Sequence, residues 1–327
     1  MKNIAAIYEA FGRPSEVVFA KQTEVASPAA GEVLVRFKRA TINPSDLGMI
    51  GGSYGVLKTL PAVAGREGIG EVVELGAGVE LVKVGDVVRL SAELGAWQQY
   101  QVLPASGLTV LPPNLDPNMA AMAFVNPPTA LCILDNFETL QEGDWFIQNG
   151  AGSALGYFII QLCKARGIRT VNMLRNAAAK KASLEELGAD VVVDESEFDA
   201  KRISKLTEGR LKLGLNQIGG ESVSNMIKAM GYGATVVTVG AMVSEPVRFP
   251  TRFLIFNDLR LRGFWWDKFQ RTRPKAEVDA VLGRVYALIA DGTLKAPVDS
   301  VFKLENVREA LARAAQNSRS GKVMLEF

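Results

Sequence analysis

One short segment constrains the fold of this chain more than any other. An apolar run at residues 145–148 leads into Gly150-Ala151-Gly152-Ser153-Ala154-Leu155-Gly156, and behind the glycines Leu155, Phe158, Ile159, Leu162 and Cys163 fall on one helical face. A strand that turns through glycines straight into an amphipathic helix predicts the first unit of a parallel, doubly wound sheet. Strand-like runs at 170–174, 191–193, 213–218, 234–240 and 259–265 follow, with helical patterns at 182–187, 223–230 and 278–290. They predict a sheet of about six strands with right-handed crossovers.

The first third reads differently. Val33, Val35 and Phe37 alternate with Arg36 and Lys38, and similar runs at 69–75 and 86–90 are separated by Gly/Pro/Asp turns. This predicts a β-rich domain that ends near Leu111-Pro112-Pro113-Asn114. The tail from about residue 297 has one helical pattern at 307–314 and a final strand at 323–327. Too short to bury itself, it is expected to return to the first domain. The expected division is therefore 1–116 plus 297–327 for the β-rich domain and 117–296 for the doubly wound one, an α/β chain overall.

The composition removes whole classes of chemistry. The chain has no histidine and two cysteines, so no Ser-His-Asp triad, Cys-His pair or thiolate zinc site can be assembled. Thirty-seven basic residues against 35 acidic ones leave a net charge of +2, which lacks the electrostatic footprint of nucleic-acid binding. Cys132 and Cys163 lie in apolar stretches and read as reduced core thiols. The first eight residues lack the pattern of a secretory signal. Two uncharged stretches, 117–134 and 145–163, are broken by Asn126-Pro127-Pro128 and Gln148-Asn149-Gly150, so neither reads as a membrane span. A soluble cytoplasmic protein without a membrane partner is the expectation.

The glycine segment sits where a dinucleotide pyrophosphate needs close backbone approach and N–H donors, which assigns Gly150, Gly152 and Gly156 to cofactor binding. Ser153 reads either as a pyrophosphate donor or as an ordinary helix cap. The second strand ends Met173-Leu174-Arg175-Asn176, with no acid before Glu185 to accept from ribose hydroxyls. Arg175 offers a planar fork suited to a 2′-phosphate, with Lys180 or Lys181 assisting, so NADPH is expected over NADH. Gly219, Gly220 and Gly240 bring flexible backbone to the carboxyl ends of later strands, where the nicotinamide would lie.

At this point the sequence resembles the medium-chain dehydrogenase/reductase superfamily, and within it the mitochondrial-type 2-enoyl thioester reductases. The segments that carry the likeness are Ile42-Asn43-Pro44-Ser45-Asp46, Gly52-Ser53-Tyr54-Gly55, Gly65-Arg66-Glu67-Gly68, Ile147-Gln148-Asn149, Leu215-Asn216-Gln217-Ile218-Gly219-Gly220 and Leu261-Arg262-Gly263-Phe264-Trp265. The likeness implies a split GroES-like catalytic domain beside a Rossmann domain. It points to the zinc-free branch, since the zinc-binding Cys near Asn43 and His near Arg66 of alcohol dehydrogenases are absent. The reductases usually carry Asn where Arg66 stands, an Asn-Ser pair at Gly152-Ser153, and a second Arg where Ala177 stands.

The resemblance implies reduction of a conjugated C=C bond in an acyl thioester, with an acyl carrier protein as a further candidate partner and fatty acid metabolism as the setting. Tyr54 matches the catalytic tyrosine. A phenol is a neutral proton donor at pH 7 and suits a chain without histidine. Asn43, Asn126 and Thr129 match positions near the nicotinamide carboxamide or substrate carbonyl, with loop and helix capping as the competing reading. Phe264, Trp265 and Trp266 would wall the acyl pocket, Trp265 matching the family's tryptophan, although core packing accounts for at least one of them. The basic run Lys268, Arg271, Arg273 and Lys275 fits a solvated face or a phosphate contact. A quinone or small-enone reductase on the same scaffold and a non-catalytic NADPH-binding module stay open. The sixth strand reads as an exposed edge, for which a homodimer is the expected cover.

Overall fold

In the computed structural model, residues 1–90, 95–317 and 319–327 are described. They form two compact units, Met1–Val125 with Ala296–Phe327, and Asn126–Lys295.

The first unit is built from antiparallel pairing. β1 (Lys2–Tyr8), β2 (Val18–Glu24) and β4 (Ala62–Val63) make a small sheet with β1 in the middle. A second sheet is centred on β3 (Glu32–Thr41), which pairs with β5 (Gly68–Leu75) and β7 (Tyr100–Pro104), while β6 (Val87–Arg89) and β8 (Thr109–Val110) extend it beyond β5. The tail joins this sheet: β15 (Val298–Lys303) lies parallel to β16 (Lys322–Glu326), and β16 pairs antiparallel with β3, Leu325 opposite Ala40. Alternation along β3 sends Val33, Val35 and Phe37 into the core while Arg36 and Lys38 reach Glu71 on the outer face. Val307, Ala310, Leu311 and Ala314 of the tail helix Val307–Ala315 close that core. Helix Pro117–Met122, which the sequence reading places in the doubly wound domain, packs instead against β3 and β5. Its Met119 to Met122 are all buried, and that apolar face ties it to the first unit.

The second unit is a six-stranded parallel sheet. β9 (Trp145–Gln148), β10 (Arg169–Leu174), β11 (Val191–Asp194), β12 (Leu211–Asn216), β13 (Thr235–Thr238) and β14 (Arg260–Gly263) stand in the order β11-β10-β9-β12-β13-β14. The order reverses between β9 and β12, the switch point at which doubly wound sheets receive ligands. β13 and β14 are shorter than the runs at 234–240 and 259–265, their pairing ending where Thr238 stands opposite Gly263. The helix predicted at 223–230 starts three residues earlier, at Gly220, and its last turn ends at Ile227. No helix among the described residues is long and apolar enough to cross a membrane.

Candidate active site

The second unit gathers its loops at the carboxyl ends of β9, β12 and β13. A Cβ on Gly156 would lie 2.4 Å from the Ala151 carbonyl oxygen, so only glycine lets helix Ala154–Ala165 start this close to the strand. Gly150 turns the chain with φ +62°. Ser153 is the helix N-cap: its hydroxyl accepts from Gly156 N at 3.0 Å and donates to Gln217 Oε1 at 2.9 Å. Donation to a pyrophosphate therefore requires Ser153 to leave Gln217.

Gln217 is a hub that sequence reading missed. Its backbone N–H donates to Asn149 Oδ1 at 2.7 Å and its side chain to the Asn149 carbonyl at 3.0 Å. A Cβ on Gly240 would stand 3.1 Å from the Gln217 carbonyl. Gly219 N donates to Asn216 Oδ1, which also accepts from Asn149 Nδ2, both at 2.9 Å. Gly150, Ser153, Gly219 and Gly240 are thus brought to one end of the sheet, held by side-chain amides that backbone periodicity does not reveal.

Arg175 is exposed at the end of β10, followed by Asn176 in the left-handed region. Asp194 pins the turn by accepting from Ala177 N at 3.0 Å, and this bond, with those from Ser196, holds its carboxyl down at about 2. Lys180 donates to the Gly152 carbonyl at 3.1 Å. The turn after β10 therefore places Lys180 beside the glycine turn, and Asp194 is engaged by the Ala177 N–H and by Ser196. The chemistry of these donors suits a dinucleotide carrying an extra phosphate, since Lys180 stands at the glycine turn and Arg175 adds a second positive charge at the end of the neighbouring strand.

Asn126 and Thr129 lie in the first turn of helix Asn126–Asn136, Thr129 buried. Phe264 N donates to the Thr238 carbonyl at 3.0 Å, and the Phe264 ring packs edge-on to Phe137 with centroids 6.1 Å apart. Trp265 is half-buried with Arg271 over its ring at 4.9 Å, whereas Trp266 is buried and stacked on Phe269. Trp266 is the core residue of the three aromatics. Arg273 and Lys275 pair with Glu277 and Asp279, each within its own helix region.

In the first unit, Tyr54 sits half-buried between Gly52 and Gly55, with the Arg66 guanidinium 4.8 Å from its ring centroid. Arg66 is 4% exposed. Gly65 sets its aim: with φ +89° the backbone turns hard against Trp97, where a Cβ would lie 2.2 Å from the indole. Trp97 in turn donates to the Thr41 carbonyl at 3.1 Å.

Beneath this pair lies a buried polar cluster. Glu67 Oε2 accepts from Asn43 Nδ2 at 2.8 Å and from Thr41 Oγ1 at 2.9 Å, and Glu67 Oε1 accepts from Phe124 N and Val125 N, each at 2.7 Å. Lys322 donates to Asn43 Oδ1. Asn43, expected near the substrate carbonyl or the carboxamide, has its side chain committed to this cluster. Its backbone N–H donates to Asp46 Oδ2 at 2.7 Å, closing the first turn of helix Pro44–Ile50. Burial pushes the Asp46 carboxyl up to about 6, although the Asn43 N–H and the charges of Arg66 and Lys322 oppose it. Burial likewise pulls the Lys58 and Lys322 ammonium groups down to about 8.

Two family models match, a GroES-like alcohol dehydrogenase domain over residues 29–113 and a zinc-binding dehydrogenase domain over residues 154–282. The mitochondrial enoyl-[acyl-carrier-protein] reductase of Xenopus tropicalis is 37% identical over 93% of this chain and 90% of its own. The chain belongs to the zinc-free medium-chain dehydrogenase/reductase superfamily, close to the 2-enoyl thioester reductases. The mitochondrial 2-enoyl thioester reductase heterodimer Etr1p/Etr2p of Candida tropicalis superposes with a TM-score of 0.89 at 28% identity, and Etr1p with NADP and crotonyl-CoA with 0.91 at 28%, each covering 100% of both chains. A putative NADPH:quinone reductase from Bacillus thuringiensis superposes with 0.91 at 25% identity, over 100% of this chain and 99% of its own.

The cytoplasmic location expected from the sequence is corrected by these reductase relatives, which are mitochondrial by name. That expectation rested on cysteines read as reduced, on the first eight residues and on interrupted apolar stretches, and none of these separates the cytosol from another reducing compartment.

Proposed function

We propose that this chain reduces the C=C bond of 2-enoyl thioesters with NADPH, Tyr54 serving as proton donor. The observation that carries the reading is the pairing, in one chain, of a glycine turn fitted to a phosphorylated dinucleotide with a phenol in a glycine-bounded loop. Relatives named for the same reaction support it.

The residues divide the work. Gly150, Gly152 and Gly156 admit the pyrophosphate, the N–H groups of the helix start meet its charge, and Arg175 with Lys180 receives the 2′-phosphate. Bound NADPH supplies the hydride. Asn126, Thr129, Gly219, Gly240 and Phe264 orient the nicotinamide end, while Trp265 lines the acyl pocket. The Tyr54 O–H donates a hydrogen bond to the thioester oxygen as the enolate develops and then gives its proton to Cα, the phenolate regaining a proton from water. Asn43 acts behind Tyr54 as a positioning residue within the Glu67 cluster.

The exposed edge of β14 is paired with a second copy in a homodimer. An acyl carrier protein is the natural carrier of the substrate, as in the names of the relatives.

A series of enoyl-CoAs from crotonyl to hexadecenoyl, assayed with NADPH and with NADH, tests the reading. NADPH oxidation dependent on the enoyl-CoA is the expected result, and oxidation only with a simple quinone would replace the reading by the second one, a quinone reductase, which the Bacillus thuringiensis structure favours. Turnover of neither class would leave a cofactor-binding module.

A further inference from the structure

We propose that Lys58 is a positioning residue for the proton-donating step, its ammonium latching the far side of the Tyr54 loop to β4. The inference rests on the reading of Tyr54 as the donor. Lys58 Nζ donates to the Val63 carbonyl at 2.9 Å, and Val63 is itself fixed in the sheet opposite Ile7 of β1. Gly95 closes over the same residue, so near that a Cβ there would stand 2.7 Å from the Val63 carbonyl oxygen. The bond therefore joins a loop to a point held by other contacts. On the near side, Ser53 N donates to the Gly48 carbonyl at 2.9 Å, which ties the start of the loop to helix Pro44–Ile50. Tyr54 follows at once, its Cβ and Cδ2 each 3.8 Å from the place a Cβ on Gly48 would occupy.

Between these two anchors stand Tyr54, Gly55, Val56 and Leu57. Gly55 leaves the backbone free to turn, and Val56 and Leu57 are exposed, so burial of their side chains contributes little to holding the segment. A segment pinned at both ends samples fewer arrangements than one pinned at a single end. The phenol it carries is then held to a narrower set of positions, which is what delivery of a proton to one carbon demands. An ammonium suits the latch because its bond to a carbonyl is charge-assisted and stronger than one between neutral groups. Lys58 is also half-buried, and an ammonium withdrawn from water is costly to leave without a partner. Asp46 attracts it from helix Pro44–Ile50 and Arg66 repels it. Those charges act without direction, whereas the Val63 carbonyl fixes where the side chain ends.

The test is a double-mutant cycle on the full chain with crotonyl-CoA and NADPH, using Lys58→Met, Lys58→Arg, Tyr54→Phe and the two combinations, with amide hydrogen exchange of residues 54–58 measured on each variant. Lys58→Met is expected to lower kcat about tenfold with KM for NADPH unchanged and to speed exchange across 54–58 by a similar factor. Lys58→Arg keeps a charged donor and is expected to recover most of both losses. In the Tyr54→Phe background Lys58→Met is expected to cost nothing further, a non-additivity that a merely structural role would not produce. Losses that multiply in the double variant, or a kcat that ignores Lys58, overturn the proposal while leaving Tyr54 as donor. Full activity in Tyr54→Phe removes the donor and the proposal together. Where the residual rate of Tyr54→Phe is too low to compare, exchange decides: faster exchange with a lower kcat in Lys58→Met, both restored in Lys58→Arg, supports the latch, and exchange that ignores Lys58 overturns it. Should Lys58→Met fail to fold, Lys58→Gln, whose shorter side chain stops short of Val63, takes its place in the same cycle with the same outcomes.

Discussion

Glu67 and Asn43 share a hydrogen bond of 2.8 Å inside the first unit, where both are buried. Four donors converge on this one carboxylate, and the far side of Asn43 takes a bond from Lys322. Deleting the carboxylate would remove an acceptor that all four of those donors share. Glu67→Ala is expected to cost about 3–5 kcal/mol of stability, and Glu67→Gln less, since its amide oxygen can still serve one pair of donors. Urea unfolding midpoints of the two variants measure the difference; a loss under about 1 kcal/mol for Glu67→Ala would show that water replaces the carboxylate.

Asp46 gives the chain an unusual pH dependence. Burial raises its folded-state carboxyl to about 6, whereas the unfolded chain ionises near its ordinary value of 3.8. Between those values the folded state binds more protons, so this residue's contribution falls as pH rises from about 4 to about 6. Asp299 works in the opposite direction. Its bonds from Arg313 hold its carboxyl well below the usual range, a contribution present above the unfolded value and lost as pH falls. Asp46→Asn isolates the first effect while keeping an oxygen for the Asn43 N–H. Its stability relative to the parent is expected to be unchanged near pH 4 and to rise by up to about 3 kcal/mol by pH 7. Denaturant unfolding at the two pH values checks both sign and size.

The fold was legible where the relevant physics is local. Gly150 and Gly152 lie between one strand and its helix, with Gly156 in the helix's first turn, and alternation along β3 shows directly which side chains face inward. Gly150, Gly219 and Gly240 could be placed for the same reason, as each lies two or three residues beyond the end of a strand. The cluster under Tyr54 could not be read this way. Lys322 reaches Asn43 across 279 positions, and Arg66 meets a ring twelve residues earlier only because Gly65 bends the chain against Trp97. Helix Pro117–Met122 was placed in the wrong unit because an apolar face shows that a helix is buried without showing which core buries it.

Arg175 should decide between the two nicotinamide cofactors. It stands exposed at the end of β10, and Asp194, the acid nearest its turn, is already taken by the Ala177 N–H. A charge-assisted bond to a 2′-phosphate is worth about 1.5–3 kcal/mol. Arg175→Ala is expected to raise KM for NADPH about ten- to a hundredfold and to leave KM for NADH where it was. Steady-state kinetics with both cofactors provides the measurement, and an equal change for the two would move 2′-phosphate recognition away from this residue, with Lys180 the next to test.

The edge of the parallel sheet should set the oligomeric state. β14 pairs with β13 on one side only, and all four of its residues are exposed. Tyr232, which acts on Arg260 at the start of the strand, is 77% exposed; Ile255 and Phe256, at the end of the preceding helix Arg252–Phe256, are 69% and 74% exposed, and Leu261 is exposed on the strand itself. An open strand edge flanked by large apolar side chains is a template for another strand, and a twofold axis lets one edge satisfy its own copy. Light scattering is expected to give twice the protomer mass of 35.3 kDa. Leu261→Asp combined with Phe256→Asp places charge on both copies of the contact, where like charges repel and cannot be solvated, so the double variant is expected to run as a monomer. A parent that already runs as a monomer at micromolar concentration would leave the β14 edge uncovered and remove the dimer from the reading.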